Sequence, residues 1–545
     1  MIFFSTLLIS MFITLTLIPV TSRVASALHG MDIPDERKVH PYPMPKSGGI
    51  PMAIGVIVPI LLWARGDEFV RAVLIGAGIV VIFGLIDDFK GIRYEVKFAG
   101  QIAAALIVIL YGGVKIKSLG VLLPEDMLLP DWFSIPLTLL VIVGVTNAIN
   151  LADGLDGLAG GICLLSFACI GYLAYRGGNM TLVLLSVATT GVIFGFLRFN
   201  TYPATLFMGD AGSQFLGFLA GTLSLSLTQG NTPLSPLLPL ILLGFPVLDT
   251  LTVMFERISQ GRPVFVADKN HFHHKLIRLG LFHTEAVVLI YIIQALLVTA
   301  AFVFRFYSEW FLLVLYLIFS AIVLSGFFVA EQAEWRMRRY DIVDKVIKGK
   351  LRILKEKNIL IRVSFRSVET GIALLLCFSC FLPKSVPVQF SLLSIALLSL
   401  VIATWLFKKK WMGGALRLAL YLVIPFVVYL SETDMVAWMS LRLELVYNLC
   451  FGVLIIFAVL TLKFTRRKKG FKITPMDFLI LFIALVVPNL PEEHIRSYHM
   501  GLVAAKMIVF FFSYEVLIGE LRGNLRKYAL STVVVLAFLV VRGIL

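Results

Sequence analysis

The chain has 545 residues, of which 59% are hydrophobic and only 15% charged, against about 25% charged in ordinary soluble domains. That balance excludes a disordered segment and a disulfide scaffold. It also excludes a soluble enzyme, because the apolar residues recur in runs of about 20, the length that crosses a bilayer as a helix.

The first run, Met1 to about Val20, has no basic residue before it and is too long for a signal-peptide core, which predicts a retained membrane helix. Further apolar runs centre near residues 57, 78, 106, 140, 166, 188, 216, 245, 294 and 319. A basic stretch follows: residues 331–366 hold eleven Lys or Arg, predicting a surface linker of one or two helices. Later runs centre near 376, 397, 422, 453, 482, 509 and 535. The expected fold is an all-α polytopic membrane bundle, with about eleven spans in residues 1–330 and about seven in residues 367–545. The five cysteines all lie inside apolar runs. Cys377 and Cys380 form a CxxC without a second pair, so all five read as buried thiols.

The net charge of +15 belongs to loops facing anionic cytoplasmic lipid and phosphorylated substrates rather than to nucleic-acid binding. With the N-terminus outside, alternation puts Arg37, Lys38 and Lys46; Lys90, Arg93 and Lys97; Arg257 to Arg278; and Lys408–Lys410 inside. Few basic residues then fall outside, as the positive-inside rule requires.

Five polar clusters fall on that inner face. Charges inside a bilayer cost about 2.5–3.5 kcal/mol each, so acids at span ends need a partner or a task. The first is RKVHPYPMPKSGG, a Pro- and Gly-broken loop with Lys38 and His40, readable as a phosphate-facing loop or simply a basic inner loop. Next come Asp87 and Asp88 at the end of the third span. Adjacent carboxylates ionise together only beside a cation, which Lys90, Lys97 or a divalent metal would supply. Taken alone, this pair also reads as a solvated helix end. The third, NAINLADGLDGLAGG, holds Asn147, Asn150, Asp153 and Asp156, with glycines that permit close ligand approach. The fourth holds Asn200, Asp210 and Ser213, where Asp210 is a metal-carrying acid or a helix-capping one. The fifth, VFVADKNHFHHKLIRLG, is a loop with Asp268, His271, His273 and His274. Zinc binding is one reading of it, although no Cys or acid partner sits at familiar zinc spacing; imidazoles and the neighbouring cations gripping a diphosphate is the other. Asp249, within the ninth span, is expected to face the bundle interior.

Together these motifs resemble the polyprenyl-phosphate N-acetylhexosamine-1-phosphate transferases, by motif over residues 30–285 and by span count over 1–330. The resemblance implies a Mg²⁺-dependent enzyme, with Mn²⁺ as a substitute. It would move a sugar-1-phosphate from a UDP-N-acetylhexosamine to undecaprenyl phosphate and release UMP. It implies metal ligands at Asn150 and Asp210. Asp87, Asp88, Asp153, Asp156, His271, His273 and His274 are expected to be catalytic. Lys38, His40, Lys97, Asn147, Asn200, Asp249 and Asp268 are expected to bind substrate. The compact ADKNHFHHKLIRLG segment looks like the branch using UDP-GlcNAc in cell-surface polysaccharide synthesis. The phospho-N-acetylmuramoyl-pentapeptide transferases are the alternative within the family, and a lipid-linked sugar transporter is the alternative outside it. The expected location is the bacterial plasma membrane, with the site facing the cytoplasm. The expected partners are membrane lipid and a second copy of the chain. No motif is recognised in residues 367–545.

Overall fold

The structure is a computed structural model. It describes residues 2–28, 30–32, 43–64, 66–124, 127–230, 232–263, 270–333, 335, 359–407, 412–433, 435–436, 438–464, 500–521 and 526–544. Lys38, His40, Asp268, the expected span near 482 and most of the basic linker lie outside them. The contacts divide the chain into two compact units, one built on Met1–Arg338 and one on Arg339–Ile473 and Ile480–Leu545.

Among its described residues the first unit is built of helices and connecting loops, with one antiparallel pair of short strands, β1 (Met31–Asp32) and β2 (Met44–Pro45). Its helices are α1 (Ile2–Ala27), α2 (Gly49–Trp63), α3 (Glu68–Lys90), α4 (Tyr94–Leu110), α5 (Asp131–Ala152), α6 (Leu158–Arg176), α7 (Met180–Asn200), α8 (Gly209–Thr228), α9 (Leu238–Leu242), α10 (Gly244–Ser259), α11 (Phe272–Arg278), α12 (His283–Val303) and α13 (Glu309–Gln332). Each expected apolar run of this unit contains a helix. Among the described residues of the whole chain, nine helices are long and apolar enough to cross a membrane, seven of them in this unit. Helix α4 falls short of that length with 17 residues, and α8 is less apolar because its first turns carry Asp210 and Ser213.

Buried helices α6 to α8 form the centre, and α1, α2, α3, α5 and α12 pack around them. Small residues set the spacing, as in membrane bundles generally. A Cβ on Gly84 of α3 would lie 2.5 Å from Ala211 Cα of α8, and one on Gly191 of α7 would lie 2.5 Å from the Leu7 carbonyl oxygen of α1.

The run near residue 245 differs from expectation. It is broken at Leu243 into α9 and α10, with Pro239 and Pro246 on either side of the break. Proline withholds a backbone donor and leaves carbonyls without helical partners. Neighbouring helices satisfy them: Gln294 Nε2 (2.7 Å) and Ser166 Oγ (3.1 Å) donate to the Leu242 carbonyl, and Tyr316 Oη donates to that of Gly244 (3.0 Å). Broken backbone at membrane depth survives only with such help.

The second unit contains α14 (Ile359–Phe381), α15 (Val388–Phe407), α16 (Met412–Thr433), α17 (Leu441–Phe464), α18 (Met500–Leu521) and α19 (Arg526–Ile544). Helix α14 starts inside the basic stretch, so residues 359–366 are the first turns of an apolar helix instead of a surface helix. The guanidinium of Arg542 donates to the carbonyls of Cys380, Phe381, Pro383 and Lys384, closing the end of α14. Lys506 and Glu432 form a buried ion pair at 2.5 Å.

Candidate active site

The polar clusters of the first unit gather at one end of its helices. Asp87 and Asp88 end α3, and Lys97 lies in the first turn of α4. Asn147 and Asn150 end α5, Asp153 and Asp156 precede α6, Asn200 ends α7, and Asp210 opens α8.

Helix α8 is held by its N-terminus. Gly209 has φ +71°, a conformation that costs an L side chain about 1–2 kcal/mol, and a Cβ there would also strike the Asp88 carboxylate. This turn aims two free amides at Asp88. The Asp210 N–H donates to its Oδ1 (2.9 Å) and the Ala211 N–H to its Oδ2 (3.1 Å). A buried carboxylate at a helix N-terminus is favoured by the unpaired amides and the helix dipole. Alongside, Ser47 and Gly48 donate to the Phe207 carbonyl and Gly49 to that of Met208. A Cβ on Gly49 would lie 2.6 Å from the Gly212 nitrogen, so the Gly48-Gly49 pair lets the starts of α2 and α8 touch.

Two lysines partly offset the negative charge of this group. Lys97 Nζ bridges Asp87 Oδ2 (3.0 Å) and Asp210 Oδ1 (2.5 Å). Lys46 Nζ lies 3.4 Å from Asp32 and 3.9 Å from Asp88. The two members of the acid pair therefore differ. Asp88 is spent on the α8 amides and its side chain is 1% exposed, whereas that of Asp87 is 14% exposed, on Lys97 and the Ile92 N–H.

Asn150 donates to Asp210 and accepts from Ser213 Oγ (2.5 Å). Asn147 donates to Gln101 Oε1 (2.6 Å), and Gln101 in turn donates to Gln214 Oε1 (2.9 Å). These amides form a buried floor beneath the acids. Asp153 lies within electrostatic reach of Asp210, Asp156 and Asp88. Desolvation pushes its carboxyl up to about 8, and those three charges push the same way. The acids thus form one electrostatic group with a deficit of positive charge.

The donors suit a hard cation. They are carboxylate and amide oxygens, with no thiol, which is the Mg²⁺ or Mn²⁺ preference. Among the described residues no three His, Cys, Asp or Glu side chains meet at metal-binding distance. That arrangement fits a cation that takes further ligands from substrate phosphates, as Mg²⁺ does with one or two carboxylates. Turning the Asn150 oxygen toward such a cation takes a half-rotation of its amide.

A second group adjoins the first. Asp249 on α10 accepts from the Phe272 N–H (2.7 Å) and pairs with His271 Nδ1 (2.9 Å). It faces the interior and anchors the histidine segment, which forms the start of the short helix α11 instead of the expected loop. The His271 and His273 rings stack at 5.8 Å, and those of His273 and His274 approach to 4.2 Å. The His273 ring lies against Gly154, where any Cβ would overlap it. Its buried Nε2 has no hydrogen-bond partner. Burial, then the neighbouring His274, His271 and His283, hold it well below the usual imidazole range, so it is neutral near pH 7.

Asn200 is placed differently from the other polar residues. It accepts from the Gly157 N–H (2.9 Å), donates to the Leu206 carbonyl (3.0 Å) and is 1% exposed. It ties the turn before α6 to the loop before α8, so its amide is engaged within the chain. Asp156 accepts from the Ala204 N–H (2.9 Å) and supports the same loop. Two contributors, His283 and Tyr291, escape sequence reading, and Lys275 of the histidine segment has a partner that the sequence does not indicate. His283 Nε2 accepts the Asp156 N–H (2.9 Å), Tyr291 Oη donates to the Gly157 carbonyl (2.5 Å), and Lys275 pairs with Glu256 (2.5 Å). A lone His at a helix start and a Tyr inside an apolar run carry no signal of their own.

The fold and the site define a multi-pass membrane protein whose acids, lysines and imidazoles meet at one end of the bundle. The model of glycosyl transferase family 4 matches residues 70–228. The chain is 36% identical over 318 residues to the probable undecaprenyl-phosphate N-acetylglucosaminyl 1-phosphate transferase of Bacillus subtilis (strain 168), covering 58% of this chain and 88% of that relative. It is 32% identical over 330 residues to the undecaprenyl-phosphate alpha-N-acetylglucosaminyl 1-phosphate transferase of Yersinia pestis, covering 59% and 89%. It is 34% identical over 297 residues to the decaprenyl-phosphate N-acetylglucosaminephosphotransferase of Mycolicibacterium smegmatis, covering 48% and 71%. The chain belongs to glycosyl transferase family 4, among the polyprenyl-phosphate N-acetylglucosamine-1-phosphate transferases.

Proposed function

We propose that the protein transfers N-acetylglucosamine-1-phosphate from UDP-GlcNAc to undecaprenyl phosphate at the cytoplasmic face of a bacterial plasma membrane. The observation that carries this reading is the convergence of Asp87, Asp88, Asp153 and Asp210 around Lys97 and Lys46 at one bundle end. These relatives are N-acetylglucosamine-1-phosphate transferases by name, which favours this sugar over phospho-N-acetylmuramoyl-pentapeptide.

In the reaction, an oxygen of the lipid phosphate attacks the β-phosphorus of UDP-GlcNAc. A new P–O–P linkage forms, the bond from the β-phosphorus to the bridging oxygen breaks, and UMP leaves with that electron pair. A phosphate monoester is already largely ionised near pH 7, its second pKa being about 6, so positioning and charge dominate over base catalysis. Asp210 and Asn150 would hold Mg²⁺, or Mn²⁺ in its place. When bound, the cation screens the diphosphate and the charge growing on UMP. Lys97 and Lys46 add positive charge at the same place. Asp87, the more exposed of the pair, faces the substrates, while Asp88 keeps α8 in register. The neutral His273 presents a donor without repelling a cation.

The test is incubation of purified protein with Mg²⁺, undecaprenyl phosphate and a panel of UDP-N-acetylhexosamines, with the lipid product identified by mass. A GlcNAc-diphosphate lipid together with UMP supports the reading. A product carrying another sugar, or no lipid product in a preparation that binds UDP-GlcNAc, refutes it.

A further inference from the structure

Asp210 has the geometry of a cation ligand, yet its Oδ1 is covered by the ammonium of Lys97 at 2.5 Å, with Asp87 at 3.0 Å on the other side of the same nitrogen. Both acids reach Lys97 from different helices, α3 and α8, and the Lys97 side chain is 17% exposed. The ammonium thus lies between two carboxylates and covers an oxygen of the one that would hold a divalent ion. Two cations cannot share one carboxylate oxygen at contact distance without strong repulsion. The Lys side chain is long and flexible, with a freely rotating donor head, so it can vacate the gap where a rigid guanidinium would resist.

We propose that Lys97 is an exchangeable internal counter-ion that makes cation binding conditional on the diphosphate of the donor. In the empty protein Lys97 pairs with both Asp210 and Asp87, and a free divalent ion must displace it against a charge already in place. A bound diphosphate gives the ammonium a second anion to move to, uncovering Asp210 for the ion that the same diphosphate brings. Among the described residues no three acids or imidazoles make a preformed cation cage, and the ammonium is the positive charge resident beside Asp210. Lys46, 3.9 Å from Asp88 and paired with Asp32, stays as the fixed charge while Lys97 moves. Lys97 is on this account a positioning residue. The inference rests on the proposed function for the identity of the donor but not for the exchange itself.

The experiment is titration of detergent-purified full-length protein with Mn²⁺, following free Mn²⁺ by electron paramagnetic resonance, with and without UDP-GlcNAc. In the wild type, UDP-GlcNAc is expected to tighten Mn²⁺ binding by at least about tenfold, counted after subtracting Mn²⁺ held by the nucleotide alone. Lys97→Met is expected to tighten nucleotide-free Mn²⁺ binding by about tenfold, which is about 1.4 kcal/mol. Lys97→Gln supplies a polar amide without the charge and should behave as Lys97→Met does, which guards against a misfolded variant. Lys115→Met, whose lysine pairs with Asp131 at the other end of the bundle, should bind Mn²⁺ as the wild type does. Unchanged or weaker nucleotide-free binding in both Lys97 variants overturns the proposal. If another UDP-sugar proves to be the donor, the nucleotide-free comparison still decides the exchange, so the two readings fail separately.

Discussion

Replacing Asp88 by Asn separates a structural acid from a chemical one. The native carboxylate accepts two amide protons from the first turn of α8, at 2.9 and 3.1 Å, with its side chain 1% exposed. An amide offers one oxygen and one NH₂. If the oxygen takes the Asp210 N–H, the NH₂ faces the Ala211 N–H, and one buried donor loses its partner. Leaving a buried donor unsatisfied costs about 1–3 kcal/mol, and losing a negative charge at a helix N-terminus costs about 0.3–1 kcal/mol more. Relief of repulsion from Asp210 returns part of this, so the net destabilisation is expected to be about 1–3 kcal/mol. Thermal unfolding in detergent at pH 7 should show a clearly lowered midpoint for Asp88→Asn, and turnover should fall because Asp210 rides on the same turn. Asp87→Asn should lose turnover with little change in the midpoint, since Asp87 is more exposed. If Asp88→Asn unfolds like the wild type while Asp87→Asn does not, the division of labour between the two acids is refuted.

Asp210→Asn should abolish the response of UMP release to Mg²⁺; a variant that keeps near-wild-type turnover would remove Asp210 from the metal site. Asp153 makes metal-free stability depend on pH. Its folded pKa of about 8 lies above the unfolded value of 3.8, so the folded state holds the proton longer. Stability is full below 3.8 and declines as pH rises toward 8, by at most about 1.4 kcal/mol per pH unit. Midpoints measured in chelator from about pH 5 to pH 8 should fall for the wild type and flatten for Asp153→Asn; equal slopes would contradict the assignment. His273→Ala should weaken UDP-sugar binding, read by isothermal titration, and unchanged affinity would exclude the imidazole from the donor site. Gly154→Ala, which forces the His273 ring aside, should reproduce that loss without removing the imidazole.

Apolar run length, and the break of each run by charge, are local properties, and they located the helices of the first unit. The expected run near 245 shows the limit. Two prolines were visible, but whether the break would be tolerated depended on Gln294, Ser166 and Tyr316 reaching it from other helices. The same boundary runs through the site. That Asp87, Asp88, Asp153 and Asp210 stand at span ends could be read from the order of residues alone, because a charge is costly anywhere deeper in the bilayer. That Asp88 caps α8, that Asn200 is a buried clamp, and that Lys97 lies on Asp210 are contacts between residues 43 to 122 positions apart. Such contacts arise only when α3, α4, α6, α7 and α8 pack closely, through glycines such as Gly84 and Gly160. A linear sequence specifies which groups reach the end of the bundle; the packing distances between helices decide which of them touch, and therefore which remain free for substrate.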